Sequence, residues 1–419
     1  MTTAARPPAT DERTYRTTYL SRVEGEGSLT LRVQGGDVVE ARLGIFEAPR
    51  YFERLVVGRT PDEVIDIVAR ICGICPIAYQ MSAVHAFESG LGIVVDPAIR
   101  RLRRLLYAGE WIQSHALHIY LLHAPDFLGY PSALAMAADH RDVVARGLAI
   151  KKLGNELIAM LGGRSVHPVS VRVGGFSKVP RPADLAGIRR ELDRAMLFVA
   201  LRHPDEYPYS DGRIVSSDGL DLPPSGWPEA FAEEHVEGSN ALHARTRDGR
   251  AYLLGPAARI TLDAPTLHPL AAEALARTGL ADAIGTNVHR SIVARAVELL
   301  HALAEARDLI DGYRAPAAPW VAWTPGLGRC AWATEAPRGL LFHDYTLDDR
   351  GRVATATIVP PTSQNQAAIE QDLATFAPAV LELPHAEATR RLEMLIRAYD
   401  PCISCATHFL DLRIDRTEG

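Results

Sequence analysis

Two Cys-x-x-Cys pairs, Cys72/Cys75 and Cys402/Cys405, stand near opposite ends of the chain, with 326 residues between Cys75 and Cys402. Paired thiolates are soft metal ligands, and four of them suit one ion or a cluster. If both pairs serve one site, the chain must close on itself. A length of 419 residues alone gives a prior of about three domains; the shared site favours a single domain over 1–419. Four-cysteine zinc sites usually place their pairs about 15–20 residues apart in one small module. The spacing therefore favours a functional, non-zinc metal and leaves structural zinc open. A thioredoxin-like redox motif needs one pair in a βαβ setting, which the pattern lacks. The fifth cysteine, Cys330, reads as a small buried apolar residue. An odd cysteine count and a polar start argue against a secreted disulfide framework.

The remaining composition fits a chain with a substantial core: 47% hydrophobic and 23% charged residues. A net charge of −6 without basic runs excludes a nucleic-acid footprint. No apolar run is long enough to span a membrane directly, and the opening MTTAARPPATDERTYRTTYL has no apolar leader; the expected location is cytoplasmic. The three lysines, Lys151, Lys152 and Lys178, read as coding bias toward Arg.

Residues 1–14 are expected to be flexible. Alternation over Tyr19–Leu43, with a Gly-Gly-Asp turn, predicts a hairpin. Thr60, Pro61 and Glu63 predict a capped helix start running toward Arg70-Ile71-Cys72. Helical spacing predicts a long helix from Asp96-Pro97 to about His123, and others over about 137–161, 182–203 and 286–312. A second hairpin is expected around an Arg-Asp-Gly-Arg turn at 247–250, and prolines keep 314–328 from being helical throughout. The expected fold class is mainly α (α+β): a long-helix bundle with peripheral β-hairpins.

The residues around the cysteines are more specific than their spacing. Arg70-Ile71-Cys72-Gly73-Ile74-Cys75-Pro76 and Asp400-Pro401-Cys402-Ile403-Ser404-Cys405-Ala406-Thr407-His408 resemble the two metal-binding signatures of the nickel–iron hydrogenase large subunit. Further resemblance lies in Arg22-Val23-Glu24-Gly25, Ile45–Pro49, the stretch SHALHIYLLHAPDFLG, Gly163-Arg164 with His167-Pro168, Glu335–Gly339, and Val359–Asn365. It covers almost the whole chain and is weakest over about 205–245. The related respiratory complex I subunit has lost these cysteines, whereas this chain keeps all four.

The resemblance implies a fold, a reaction and a set of roles. Cys72, Cys75, Cys402 and Cys405 would bind nickel, with Cys75 and Cys405 bridging to an iron that carries CO and cyanide. H2 would be split heterolytically, with the Cys402 sulfur as first proton acceptor and Glu24 passing the proton on. Arg338 would stand over the metals, oriented by Asp126 and Asp400. Pro360, Pro361 and Thr362 would cradle the iron's ligands. Glu47, His408 and the Ile358 carbonyl would hold a magnesium ion. Read alone, Glu24 is a surface ion-pair residue, Asp126 and Asp400 are cap and turn residues, and His408 is a tail residue. His115, His118 and His123 read as core or interface histidines rather than ligands. Where the family commonly has a histidine four residues past the second cysteine, this chain has Tyr79, a poor base at neutral pH.

Four thiolates assigned to nickel leave too few cysteines for an iron–sulfur cluster, so electrons must leave through partners. The resemblance implies an iron–sulfur small subunit and, in the cytoplasmic multimeric class, flavin- and NAD(P)-binding subunits. It also implies nickel-insertion proteins and a maturation protease that removes Phe409–Gly419. The alternatives are an H2-sensing relative, which usually lacks such a tail, and a structural four-cysteine zinc protein.

Overall fold

The computed structural model describes residues 12–34, 37–180, 201–217, 219–236, 239–281, 284, 287–380 and 383–407. Helices dominate, with small antiparallel sheets at their flanks. The expected helix over 182–203 falls largely outside the described residues, as do Gly35 and Gly36 of the first hairpin.

The centre is the helix Pro97–Ala116. Asp96 caps it, its side chain accepting from the Ala98 N–H at 2.7 Å, and Pro97 occupies the first turn. Every residue from Leu102 to Ala116 is buried, so this helix is core on all sides. It packs against the helices Arg141–Gly162 and Ser291–Asp311. Two glycines permit the first contact: a Cβ on Gly154 would lie 2.5 Å from the Gln113 nitrogen and 2.6 Å from the Gly109 carbonyl oxygen. After Ala116 the expected single helix continues as a π-helical segment, Leu117–His123, before a short α-helix, Ala124–Leu128.

One sheet pairs Glu12–Thr17, Gly27–Gln34 and Asp37–Ile45 in sequential order, so part of the stretch expected to be flexible forms a strand. It backs onto the helices Pro361–Phe376 and His385–Tyr399 in a shared hydrophobic cluster. A second sheet, Gly328–Ala336, Gly339–Leu347 and Val353–Val359, covers the helix Pro76–Gly90. The helix Pro61–Val68 carries the expected capping box between Thr60 and Glu63. The turn at 247–250 forms, but the hairpin pairs Phe231–His235 with Leu242–Thr246 through 236–241, upstream of that turn. All four paired cysteines lie in the largest hydrophobic cluster, alongside Trp111, Ile77 and Ile358.

Candidate metal centre

The first cysteine loop is held from the central helix. Cys75 stands at the N-terminus of the helix Pro76–Gly90, where N–H groups lack partners within the helix. Glu110 supplies them: its carboxylate accepts from the Ile77 N–H at 2.6 Å and the Ala78 N–H at 3.1 Å. One turn along, the Gln113 side chain donates to the Ile74 carbonyl. The Ile74 and Cys75 N–H groups both point at the Cys72 sulfur, each at 3.3 Å.

The second loop follows the helix His385–Tyr399. Asp400 ends that helix with φ 56 and ψ 52, a left-handed conformation that turns the chain sharply. The Cys402 N–H donates to the Thr362 hydroxyl at 3.0 Å, and the Ile403 N–H to the Glu24 carbonyl at 2.8 Å. Gly25 allows the close approach. At φ +88 it sits where a Cβ would lie 2.5 Å from a Glu47 carboxylate oxygen and 2.8 Å from the Ser404 nitrogen.

These two anchors bring the four sulfurs within 4.8 Å of one another, all buried. Cys72 and Cys402, 330 residues apart in sequence, have sulfurs 3.5 Å apart. Hydrogen bonding from Cys402, then from the other sulfurs, pushes the Cys72 thiol well below its usual range, while burial pushes those of Cys402 and Cys405 up. A soft cation is the natural counter-charge for such a set.

Around the sulfurs, Glu24 meets the second loop: Cys402 Sγ donates to Glu24 Oε2 at 3.0 Å, and the Ser404 N–H bonds the same oxygen at 3.1 Å. Arg338, at the turn between two strands, is buried. Its Nε donates to the Asp400 carbonyl at 2.8 Å and its Nη2 to Asp400 Oδ1 at 3.2 Å. Burial alone would lower its pKa, but Asp400 and the sulfurs of Cys402, Cys75 and Cys72 raise it well above the usual value. Its Nη1 is buried without a partner among the described residues. An orphaned cationic donor beside four sulfurs fits an anionic group on a bound metal. Pro360 and Pro361 lie buried where the strand Val353–Val359 turns into the helix carrying Thr362.

Two expectations change. Asp126 does not orient Arg338; its carboxylate pairs with Arg397 at 2.8 and 2.9 Å and with Arg22 at 2.5 Å. Burial works against its charge, yet these guanidinium groups hold it below the usual carboxylate range. Glu47 is engaged elsewhere too, accepting from the Ser404 hydroxyl at 2.9 Å and the Glu26 N–H at 3.2 Å. The carboxylate beside Ile358 is Glu53, which accepts the Ile358 N–H at 2.8 Å. Glu53, Ile358, Ser404 and Thr407 line a cavity of about 420 Å³. His408 and Phe409–Gly419 lie outside the described residues.

Sequence reasoning missed Glu53, Glu110 and Gln113. The sequence around Glu53, Arg50-Tyr51-Phe52-Glu53, offered a carboxylate six residues past Glu47, and only folding tells the two apart. Tyr79 is buried, its ring centroid 5.7 Å from that of His343. Burial first, then the nearby sulfurs, pushes its phenol up. His115, His118, His123 and Cys330 are fully or almost fully buried.

The nickel-dependent hydrogenase family model matches residues 50–149 and 257–408, spanning both cysteine loops. The chain belongs to this family. It is 33% identical to the sulfhydrogenase 1 alpha subunit of Pyrococcus furiosus, covering 94% of this chain and 97% of that one. It is 28% identical to the beta subunit of the NAD-reducing hydrogenase HoxS of Cupriavidus necator, covering 93% and 94%. Among solved structures, an NAD+-reducing NiFe hydrogenase in its H2-reduced state matches with a TM-score of 0.84 at 28% identity, covering 94% and 99%. These relatives are subunits of multi-subunit hydrogenases. No helix among the described residues is long and apolar enough to cross a membrane.

Proposed function

We propose that the chain is the catalytic large subunit of a cytoplasmic nickel–iron hydrogenase, interconverting H2 with two protons and two electrons. The observation that carries this reading is the convergence of four buried sulfurs within 4.8 Å in a chain of the hydrogenase family. Cys72, Cys75, Cys402 and Cys405 would hold the nickel–iron centre. When bound, this centre supplies a soft, open coordination position at which H2 is polarised.

The chain's own residues then handle the proton. The Cys402 sulfur takes it and, at 3.0 Å, passes it to Glu24 Oε2, a distance within direct transfer range. The Ser404 hydroxyl, bonded to Glu47, continues the polar line beside Glu24. Arg338, fixed by Asp400, presents its free Nη1 to the anionic side of the site. Thr362 and the Pro360–Pro361 turn would cradle the iron's CO and cyanide ligands. A magnesium ion would draw on Glu53, in place of Glu47, with Ile358 and His408, since hard oxygen donors suit that ion. Electrons leave through an iron–sulfur small subunit and on to flavin- and NAD(P)-binding subunits. Nickel-insertion proteins and a protease acting after His408 would complete assembly.

Glu24→Gln tests the proton step. General acid–base groups contribute about 10²–10⁴-fold, so H2 evolution and D2/H+ exchange should fall by about two orders of magnitude with nickel content unchanged. Full rates in this variant would remove Glu24 from the mechanism.

A further inference from the structure

Two arginines that take no part in the chemistry above lie entirely in the core. Arg259, on the helix Pro256–Asp263, and Arg295, on the helix Ser291–Asp311, are 0% and 1% exposed. A buried ion pair is often no more stabilising than apolar packing of the same volume. What these two groups hold in place therefore matters more than the charge they balance.

Each clasps the two backbone carbonyls that precede a residue of the metal centre. The strands Gly328–Ala336 and Gly339–Leu347 turn through only Pro337 and Arg338. Arg259 Nη1 donates to the Ala336 carbonyl and its Nη2 to the Pro337 carbonyl, both at 3.1 Å. The residues leading into the Arg259 helix close on the same turn: a Cβ on Gly255, at φ +86, would lie 2.6 Å from the Arg338 carbonyl oxygen. Arg295 serves Asp400 in the same way. Its Nη1 donates to the Ala398 carbonyl at 2.9 Å and its Nη2 to the Tyr399 carbonyl at 3.2 Å. Those carbonyls end the helix His385–Tyr399, just before Asp400 adopts its left-handed conformation and grips Arg338.

One helix face links the two clasps. Arg295 and Glu298 are three residues apart on the helix Ser291–Asp311 and so share a face. Glu298 Oε2 accepts from Arg259 Nη2 at 2.7 Å, and its Oε1 accepts from the Tyr207 hydroxyl at 3.2 Å. Glu335 Oε2 accepts from Arg259 Nη1 at 3.1 Å, and the Arg259 guanidinium lies 4.2 Å from the centre of the Trp111 ring. With its edge and one face both occupied, the Arg259 fork is held in a single orientation.

We propose that Arg259 and Arg295 are positioning residues for the metal centre: joined through Glu298, they fix the Arg338–Asp400 pair so that Arg338 Nη1 meets the anionic side of the site. A planar fork suits this task, because two donors in fixed geometry take two successive carbonyls, whereas lysine offers a point charge on a flexible stem. Replacement by lysine thus removes the clasp and keeps the charge that Glu298, Glu335 and Asp400 require.

The role deepens the hydrogenase reading and rests on it, and the lysine variants separate the two. Arg259→Lys and Arg295→Lys are purified as the assembled enzyme beside Arg103→Lys. Arg103 is equally buried, but its partners, Glu88 and the Arg172 carbonyl, lie outside the Arg338 turn and the Cys402 loop. At full nickel content, Arg259→Lys and Arg295→Lys should shift the infrared bands of metal-bound cyanide. They should also cut kcat by about tenfold to a hundredfold with KM for H2 unchanged, the mark of an interaction made in the transition state. Crystal structures should show the Arg338 guanidinium displaced from Asp400 with the cysteine loops unmoved. Arg103→Lys should lower the melting temperature and leave bands and kcat alone. Unchanged bands, kcat and Arg338 in both test variants would overturn the positioning role and leave the hydrogenase reading intact. The same band shift in Arg103→Lys, or failure of both test variants to assemble, would also overturn it, since the clasps would then serve the fold alone. Wild-type enzyme without cyanide bands would overturn the hydrogenase reading itself, whatever the crystal structures show of Arg338.

Discussion

His343 shows how one buried side chain sets a solution property. It lies on the strand Gly339–Leu347 with no exposed surface, its Nδ1 2.6 Å from the Tyr345 hydroxyl. Burial pushes its imidazole down to about 3. The unfolded chain takes up that proton near pH 6.5, the folded chain only near 3, so the folded state is favoured fully above about 6.5. This contribution is lost as pH falls toward 3. Between pH 7 and 5, wild type should lose about 2 kcal/mol more stability than a His343→Leu variant, measured as unfolding of the metal-free chain. An equal loss in both would contradict the buried, neutral imidazole. At this scale the sequence was legible where a motif fixes a neighbour. Glu24, singled out by its motif, lies 3.0 Å from the Cys402 sulfur. Asp126 and Glu47 were not legible. Their partners, Arg397 and Ser404, lie 271 and 357 residues away in sequence, and a carboxylate's partner at that distance is decided by folding.

The elements holding the site argue for their own test. Glu110 satisfies two N–H groups at the start of the helix Pro76–Gly90. Leaving buried donors unmet costs about 1–3 kcal/mol, and here it would also free the loop that aims Cys72 and Cys75. Glu110→Ala should therefore lower the melting temperature of the metal-free chain and reduce nickel per chain after purification. Unchanged values of both would show that the loop holds itself. Periodicity found Pro97–Ala116 and Ser291–Asp311 because each mixes a recurrent apolar spacing with charge. It missed Pro76–Gly90, where twelve of fifteen residues are buried and no polar face marks a period. It also missed Pro361–Phe376, whose opening prolines resemble a loop. Helical spacing cannot tell an α-turn from the π-turns over Leu117–His123, since both keep apolar residues three to five apart.

For the whole molecule, described segments drawn from near both ends of the sequence meet at one buried point. The segment from Glu24 to Gly25, the loop at Cys72 and the final described residues up to Thr407 share that point. The expectation that the cysteine pairs converge came from chemistry, because two pairs of soft ligands are wasteful apart. The order of packing around them came only with the fold. Chain closure also bears on the tail. Thr407, the last described residue, lines the cavity beside Cys405, so the tail begins next to the metal centre. Intact-mass measurement of the active enzyme should show loss of Phe409–Gly419, and a retained tail would refute the cut.

The most direct measurement is metal analysis with infrared spectroscopy on the enzyme purified with its partner subunits. The account predicts one nickel and one iron per chain, about equimolar, with bands from metal-bound CO and cyanide. Zinc at the four cysteines, without nickel and without those bands, would contradict it.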